Sequence, residues 1–207
     1  MSVDQAQVDY PEHRSAVGPP DKYDIIGAQQ FCVCISHGLR EHHAFCDIGC
    51  GSLRGGRLFI TYLLPGKYYG IEPNARLVND GIDLELGGNV IGCKHPQFLF
   101  SDDFYLQKFE QRFDFILAQS IFSHAYPEQI DTCLWQVAHT LVPDGKFLGT
   151  YFQGAPNYTG NTWASSPCAT YTKDWMVTHA HDHGLKFRHL PNRHESGQTW
   201  FLMQHRD

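Results

Sequence analysis

Short apolar segments alternate with amphipathic ones along most of the chain, and this alternation predicts the secondary structure. The apolar segments predict strands at residues 43–47, 67–73, 96–104, 112–120 and 146–152. The amphipathic segments predict helices at residues 23–39, 53–64, 74–86, 127–141 and 172–185. Two further short strands, joined by a polar turn, are predicted within residues 186–204.

Strands that alternate with helices of this length predict βαβ units and therefore an α/β fold. We expect a Rossmann-like, doubly wound sheet that is mostly parallel and has helices on both faces. The last two strands have no helix between them, which predicts an antiparallel C-terminal edge strand. The 207 residues suit one core, so we expect a single domain at 23–207 and a flexible N-terminal arm at 1–22.

A long segment separates the fifth strand from the last helix. Residues 153–170 are rich in Gly, Asn and Ser and carry Tyr158 and Trp163. Long loops on rigid α/β scaffolds are often functional. We expect this one to form a lid or an acceptor-binding wall, the alternative being an unattached surface loop.

The segment Asp-Ile-Gly-Cys-Gly, residues 47–51, follows the first predicted strand. Ligands of open α/β sheets bind at the carboxyl ends of the strands, which is where this loop lies. A dinucleotide fingerprint needs a third glycine three residues later, and this chain has Arg54 there. Asp47 would repel a pyrophosphate but attract an ammonium or a sulfonium group. The pattern favours S-adenosylmethionine over a nicotinamide dinucleotide.

Glu72 ends the second predicted strand, about 20 residues after the glycine loop. An acid at that distance accepts hydrogen bonds from ribose hydroxyls. Because NAD and S-adenosylmethionine both carry a ribose, Glu72 supports a nucleoside ligand without choosing between them.

These motifs resemble those of the class I S-adenosylmethionine-dependent methyltransferases. "DIGCG" has the form that their first motif commonly takes, and the order continues over roughly residues 23–207 with "YYGIEPN", "FLFSDDF", "FDFILAQSIFSHA" and "LVPDGKFLGTYF". The chain departs from the family in two places. "PDG" replaces the usual Pro-Gly-Gly before the fifth strand, and the first loop continues as "SLRGG" without its common third glycine.

The resemblance implies S-adenosylmethionine as cofactor and a set of residues that contact it. It implies that the first loop contacts the methionine end of the cofactor and that Glu72 contacts the ribose. One of two adjacent acids and an aromatic ring would contact the adenine, and the end of the fourth strand would lie near the methyl group. Arg54 either pairs with the cofactor carboxylate or lies in solvent. The residues implied are Asp47, Gly49, Gly51, Arg54, Glu72, Asp102, Asp103, Phe104, Gln119 and Ser120.

His124 is the candidate catalytic base, because it follows the fourth strand and a neutral imidazole accepts a proton near neutral pH. The alternative is a packing role beside the cofactor. His194 and Gln198 are further candidates for substrate contacts. His179 and His183 share one helix face, but no carboxylate pattern accompanies them, so we expect a structural or solvent-facing role and no metal.

Composition narrows the class of partner. Sixteen Lys and Arg against twenty-two Asp and Glu give a net charge of -6, and no basic run is present, which argues against nucleic acid. Seven scattered cysteines are typical of reduced thiols. No segment is apolar for long enough to span a membrane or to act as a signal peptide, so we expect a cytoplasmic protein without membrane contact.

The sequence therefore predicts methyl transfer from S-adenosylmethionine to a small molecule, with a hydroxyl as the favoured acceptor. Nitrogen or carbon acceptors are alternatives. So is a cofactor-binding domain that is active only with a partner protein, and a nicotinamide oxidoreductase is less favoured. The identity of the acceptor and the oligomeric state have no signal in the sequence.

Overall fold

The structure, a computed structural model, describes residues 10–206. Its centre is an eight-stranded sheet in the order β3-β2-β1-β4-β5-β8-β7, with β6 paired to the end of β5. The strands are β1 Phe45–Ile48, β2 Tyr68–Ile71, β3 Gln97–Leu99, β4 Phe113–Ala118, β5 Leu141–Gln153, β6 Thr170–Tyr171, β7 Leu185–His189 and β8 Thr199–His205.

All pairings among β1 to β6 are parallel, and β8 runs antiparallel to both of its neighbours, β5 and β7. The predicted fold class is confirmed: the sheet is mostly parallel and its antiparallel pairing lies at the C-terminal edge. The last strand is inserted one position in from that edge, which β7 forms.

Seven helices surround the sheet in the described part of the chain. They are α1 Glu12–Ser15, α2 Tyr23–Ser36, α3 Gly56–Tyr62, α4 Ala75–Gly81, α5 Gly88–Lys94, α6 Pro127–Thr140 and α7 Lys173–Asp182. A π-helical turn, Ile82–Leu86, continues α4, and 3₁₀ turns lie at Pro20–Lys22 and Leu106–Phe109. Within residues 10–206, none of the helices combines the length and apolar character that crossing a bilayer requires.

Several predicted boundaries were wrong. Helix α3 begins three residues late because Leu53, at φ 61°, has left-handed backbone. Strand β3 covers only three of the nine predicted residues. Helix α5 was missed, since its two glycines and one asparagine disfavour helix in a sequence-based prediction. The expected turn before the fifth strand instead lies inside β5, as an irregularity in its register with β4.

Successive side chains of each strand point to opposite faces of the sheet, so a hydrophobic core forms on each face. On β1, Phe45 packs with the helices α2, α3 and α4, whereas Cys46 and Ile48 pack with α6 and α7. The same alternation continues on β8, where Trp200 and Phe201 face opposite layers. Helices therefore cover both faces, as the strand and helix pattern predicted.

Residues 10–22, which we call the arm, contact the domain through an ionic cluster. The Glu85 carboxylate, in the π-helical turn, accepts hydrogen bonds from His13 Nε2, Arg14 Nε and Arg57 Nη1, each at 2.8 Å. The His13 side chain is buried. Residues 1–9 lie outside the described residues, and the flexibility of the arm and its boundary at residue 22 stay predictions.

Candidate active site

A cleft of about 830 Å³ lies at the carboxyl ends of the central strands. Since β2 and β4 flank β1 on opposite sides, the loops that follow β1 and β4 diverge and leave a crevice between them. The volume is within the range of small-molecule sites, roughly 300 to 1,000 Å³. Nine of the predicted site residues line the cleft: Gly49, Gly51, Arg54, Glu72, Asp102, Phe104, Gln119, Ser120 and His124.

The glycine loop is shaped by close contacts on two sides. Gly49 has φ +70°, and a Cβ there would overlap the Ile121 side chain in the segment after β4. Gly51 has φ +55°, and its Cβ would lie 2.7 Å from Val17 Cγ1 of the arm. Only glycine satisfies both the backbone conformation and the space at these positions. The loop is therefore held between the β4 segment and the arm.

Glu72 is tied to the same loop. Its Oε2 accepts a hydrogen bond from Gly51 N at 3.1 Å, and its Oε1 accepts one from Asn74 N at 3.0 Å. Burial raises the pKa of Glu72, against the opposing effect of these two bonds. The carboxylate thus lies at the cleft wall with a fixed orientation, and each oxygen keeps a lone pair for a ligand.

Asp47 lines a smaller recess of about 20 Å³ rather than the main cleft. Arg54 and Gln119 also line the recess, and both of them line the main cleft too. The Tyr68 hydroxyl donates a hydrogen bond to Asp47 Oδ2 at 2.9 Å. Burial raises the pKa of Asp47 to about 7, against the effects of Tyr68 and of the Arg54 charge. Asp47 therefore changes its charge near neutral pH.

Arg54 is buried, with 7% of its surface exposed, so the alternative of a solvent-facing arginine does not describe its environment. Its Nη1 donates to the Val17 carbonyl at 2.6 Å, and its Nη2 donates to Gln119 Oε1. Its Nε has no hydrogen-bond partner, and none of the ion pairs within residues 10–206 includes it. Burial lowers the pKa of Arg54 to about 10, which leaves it charged at neutral pH.

Gln119, at the end of β4, joins Arg54 to two other elements. Its Oε1 also accepts from Gln30 Nε2 of α2 at 2.5 Å, and its Nε2 lies 2.9 Å from His194 Nε2 in the β7–β8 connection. Burial, and then the charge of Arg54, lower the pKa of His194 to about 4, so its imidazole is neutral. The hydrogen-bond partners of the guanidinium, the Val17 carbonyl and the Gln119 amide, are thus neutral groups.

The network continues along the cleft wall through Ser120, which has φ 58°. Its amide donates to Thr150 Oγ1 at 2.8 Å, and its Oγ accepts from Gln198 Nε2 at 2.6 Å. The Thr150 hydroxyl in turn donates to Gln198 Oε1 at 2.7 Å. Gln198 lines the cleft, whereas His194 contacts Gln119 behind it.

The two adjacent acids after β3 have different surroundings. Asp102 and Phe104 line the cleft. Asp103 does not: its Oδ2 accepts from Lys108 Nζ at 2.6 Å, and its Oδ1 accepts from Tyr105 N at 3.0 Å. Burial alone would raise the pKa of Asp103, but the bond from Lys108 brings it below its ordinary value. Of the pair, Asp102 is the acid available to a ligand in the cleft.

His124 is held by the long loop after β5. Its Nδ1 lies 2.6 Å from the Ala164 carbonyl, and its ring is stacked on Trp163 with a centroid distance of 5.4 Å. A nitrogen that faces a carbonyl carries the proton, which leaves Nε2 of the neutral ring as the acceptor. The amides of Ala164 and Ala169 donate to the carbonyls of His124 and Ser123, so the loop is fastened to the segment after β4.

Sequence reasoning missed other residues of the cleft. The arm contributes Ala16, Val17, Gly18 and Pro19, and no local pattern marks a polar arm as part of a site. Gln30 did carry a signal, since it falls on the inward-facing side of α2.

His179 Nδ1 and His183 Nε2 lie 2.7 and 3.2 Å from one Asp131 oxygen. Within residues 10–206, no cluster of three or more His, Cys, Asp or Glu is arranged to hold a metal ion.

No protein-family model matches the chain, but solved structures share its fold. Magnesium protoporphyrin IX methyltransferase from Synechocystis PCC 6803, with bound SAH, aligns over 97% of this chain and 90% of its own (TM-score 0.66, 13% identity). The glycopeptide N-methyltransferase MtfA aligns over 87% of this chain and 90% of its own (TM-score 0.66, 10% identity). The mitomycin 7-O-methyltransferase MmcR aligns over 93% and 56% (TM-score 0.65, 14% identity). The chain has the fold of the class I S-adenosylmethionine-dependent methyltransferases, which the sequence motifs implied.

The raised pKa of Asp47 predicts a pH-dependent cost to folding. The Asp47 carboxyl has a pKa of about 7 in the folded protein and an ordinary pKa in the unfolded chain. The free energy of unfolding therefore falls as pH rises between those two pKa values. We therefore expect Asp47→Asn to be more stable than the unsubstituted protein at pH 8, by about 1 to 4 kcal/mol, with the gain vanishing towards pH 4. Denaturant titrations across this range measure it.

The control is Asp144→Asn, which removes an exposed acid from β5. It should change stability little at either end of the pH range. If the free energy of unfolding had the same pH dependence in the Asp47→Asn variant and in the unsubstituted protein, the prediction would be wrong, because Asp47 would then be ionised in the folded state without cost.

Proposed function

We propose that this protein transfers a methyl group from S-adenosylmethionine to a small-molecule acceptor, with a hydroxyl oxygen as the favoured acceptor atom. One observation carries the proposal: a buried guanidinium with an unpartnered Nε and a buried carboxylate lie beside the glycine loop, in a recess that shares Gly49, Gly51 and Arg54 with the main cleft. The amino-acid end of the cofactor carries a carboxylate and an ammonium. Arg54 and Asp47 match these two charges in sign.

The main cleft supports the nucleoside half of the same ligand. Glu72 has free lone pairs at the end of β2, where a ribose acid is expected. Asp102 and the buried ring of Phe104 line the cleft beyond β3. These residues would hold the ribose hydroxyls, the adenine amino group and the adenine face.

A nicotinamide dinucleotide fits this geometry poorly. A pyrophosphate at the glycine loop would lie close to Asp47, and the two negative charges would repel one another in a buried site. The position of the third glycine is filled by Arg54, whose side chain lines both the recess and the main cleft. The loop therefore lacks the third glycine of the dinucleotide fingerprint.

When bound, S-adenosylmethionine supplies an electrophilic methyl group on a sulfonium. The protein must then place the acceptor and, for a hydroxyl, remove its proton. His124 is suited to this, because the Ala164 carbonyl fixes the proton on Nδ1 and leaves Nε2 to accept another. A base in this position favours oxygen, since a neutral amine needs none in order to attack.

Calorimetric titration with S-adenosylhomocysteine and with NAD tests the cofactor. We expect S-adenosylhomocysteine to bind and NAD to bind at least 100-fold more weakly, which corresponds to about 2.7 kcal/mol. Glu72→Ala should weaken the binding of S-adenosylhomocysteine by about 1 to 3 kcal/mol, because the ribose hydroxyls lose their hydrogen-bond partner. Asp103→Ala, in the acid that faces Lys108, is the matched control and should bind normally. Tighter binding of NAD would contradict the proposal.

Turnover tests the base, using a hydroxylated acceptor identified by screening. We expect His124→Ala to lower kcat by roughly 10² to 10⁴ with unchanged S-adenosylhomocysteine affinity. The control is His139→Ala: that imidazole also stacks on a tryptophan, Trp135, and also bonds its Nδ1 to a backbone carbonyl, but it lies on α6 and does not line the cleft. Full activity of His124→Ala would remove His124 from the mechanism.

A further inference from the structure

We propose that the acceptor is an uncharged, hydroxylated ring compound that lays one apolar face against the wall formed by Trp163 and Phe152. The inference rests on the proposed function and adds the chemical class of the acceptor. It comes from how charged, aromatic and neutral polar side chains are distributed along the cleft.

The charged side chains that line the cleft lie at its cofactor end. They are Arg54 after β1, Glu72 after β2 and Asp102 after β3. Beyond the end of β4, the lining described in the structure contains no Lys, Arg, Asp or Glu, and His124 is its only titratable imidazole. A carboxylate, phosphate or ammonium on the acceptor would leave water without gaining a countercharge, which is unfavourable. The acceptor end therefore selects for neutral molecules.

The aromatic wall suits a flat apolar face. Trp163 remains 45% exposed although it lines the cleft, and its ring lies within 19° of parallel to the His124 imidazole. The Ala164 amide donates to the His124 carbonyl, and the Ala164 carbonyl accepts from His124 Nδ1, so the loop is held in place and the indole is oriented before a ligand arrives. Phe152, near the end of β5, also lines the cleft. Fixed aromatic surface of this kind binds planar rings at low entropic cost.

The polar groups between the aromatic side chains are neutral. Gln198 is locked by Ser120 and Thr150, and Gln129 accepts a bond from the Tyr126 amide at 3.4 Å through its Oε1. Amides and hydroxyls of this kind pair with hydroxyl groups without a charge mismatch. Phenols and pyranose sugars both combine neutral hydroxyls with an apolar ring face, so the shared chemistry is what the site recognises.

Calorimetry on the protein saturated with S-adenosylhomocysteine tests the class, using matched pairs that differ by one charge. Naphthol is compared with hydroxynaphthoate, and a methyl glucoside with the corresponding glucuronate. We expect the neutral member of at least one pair to bind about tenfold or more tightly than its charged partner. Which pair responds distinguishes an aromatic from a carbohydrate acceptor, and methyl transfer to the neutral member confirms that the complex is productive.

Variants locate the binding face. Trp163→Ala should weaken the binding of the neutral ring compound about tenfold and leave the binding of S-adenosylhomocysteine unchanged. Trp163→Phe should restore most of the lost affinity. The matched control is Trp135→Ala, because Trp135 is similarly exposed at 41% and stacked on a histidine, but lies on α6 outside the cleft. It should leave acceptor binding unaltered.

The outcomes separate the inference from the function on which it rests. If S-adenosylhomocysteine binds but the charged member of each pair binds equally or better, or no ring compound binds, the acceptor class is wrong and the methyltransferase proposal stands. If S-adenosylhomocysteine itself does not bind, both are overturned. Equal losses in Trp163→Ala and Trp135→Ala would also overturn the proposed binding face.

Discussion

Burial of the Arg54 guanidinium is the constraint on which this site depends. A charge removed from water must be hydrogen-bonded, and Arg54 obtains its partners from distant parts of the chain: Val17 of the arm and Gln119 directly after β4. Gln119 extends the contact to Gln30 of α2 and His194 before β8. One cation thus sets the relative positions of four elements around the glycine loop.

The same constraint determines the electrostatics of the recess. His194 stays neutral because burial and the nearby guanidinium lower its pKa, and Asp47 keeps a pKa near neutrality because burial outweighs the attraction of Arg54. No carboxylate forms an ion pair with the Arg54 guanidinium within residues 10–206, and its Nε is left without a partner. A ligand that brings its own carboxylate and ammonium would satisfy both groups at once, which makes ligand binding and completion of this network one event.

The sequence was sufficient where the signal was local. The alternating pattern located most of the strands and helices, although not helix α5. The loop after β1 and Glu72 after β2 could be located because both follow directly from their strands. The arm could not be placed, since its contacts with Glu85 and Arg54 join residues far apart in sequence and no periodicity accompanies them. Sequence alone also left Asp102 and Asp103 equivalent, and it is Lys108, on the following 3₁₀ turn, that draws Asp103 away from the cleft.

The most direct test of the role of Arg54 compares S-adenosylhomocysteine with methylthioadenosine, which keeps the nucleoside and lacks the amino-acid end. Binding of both ligands is measured by calorimetry to the unsubstituted protein and to Arg54→Met, which retains side-chain volume and removes the charge. We predict that Arg54→Met weakens the binding of S-adenosylhomocysteine by about 1.5 to 3 kcal/mol more than the binding of methylthioadenosine, whose retained binding shows that the variant is folded. Equal effects on the two ligands, or none on either, would contradict the assignment of the recess to the amino-acid end.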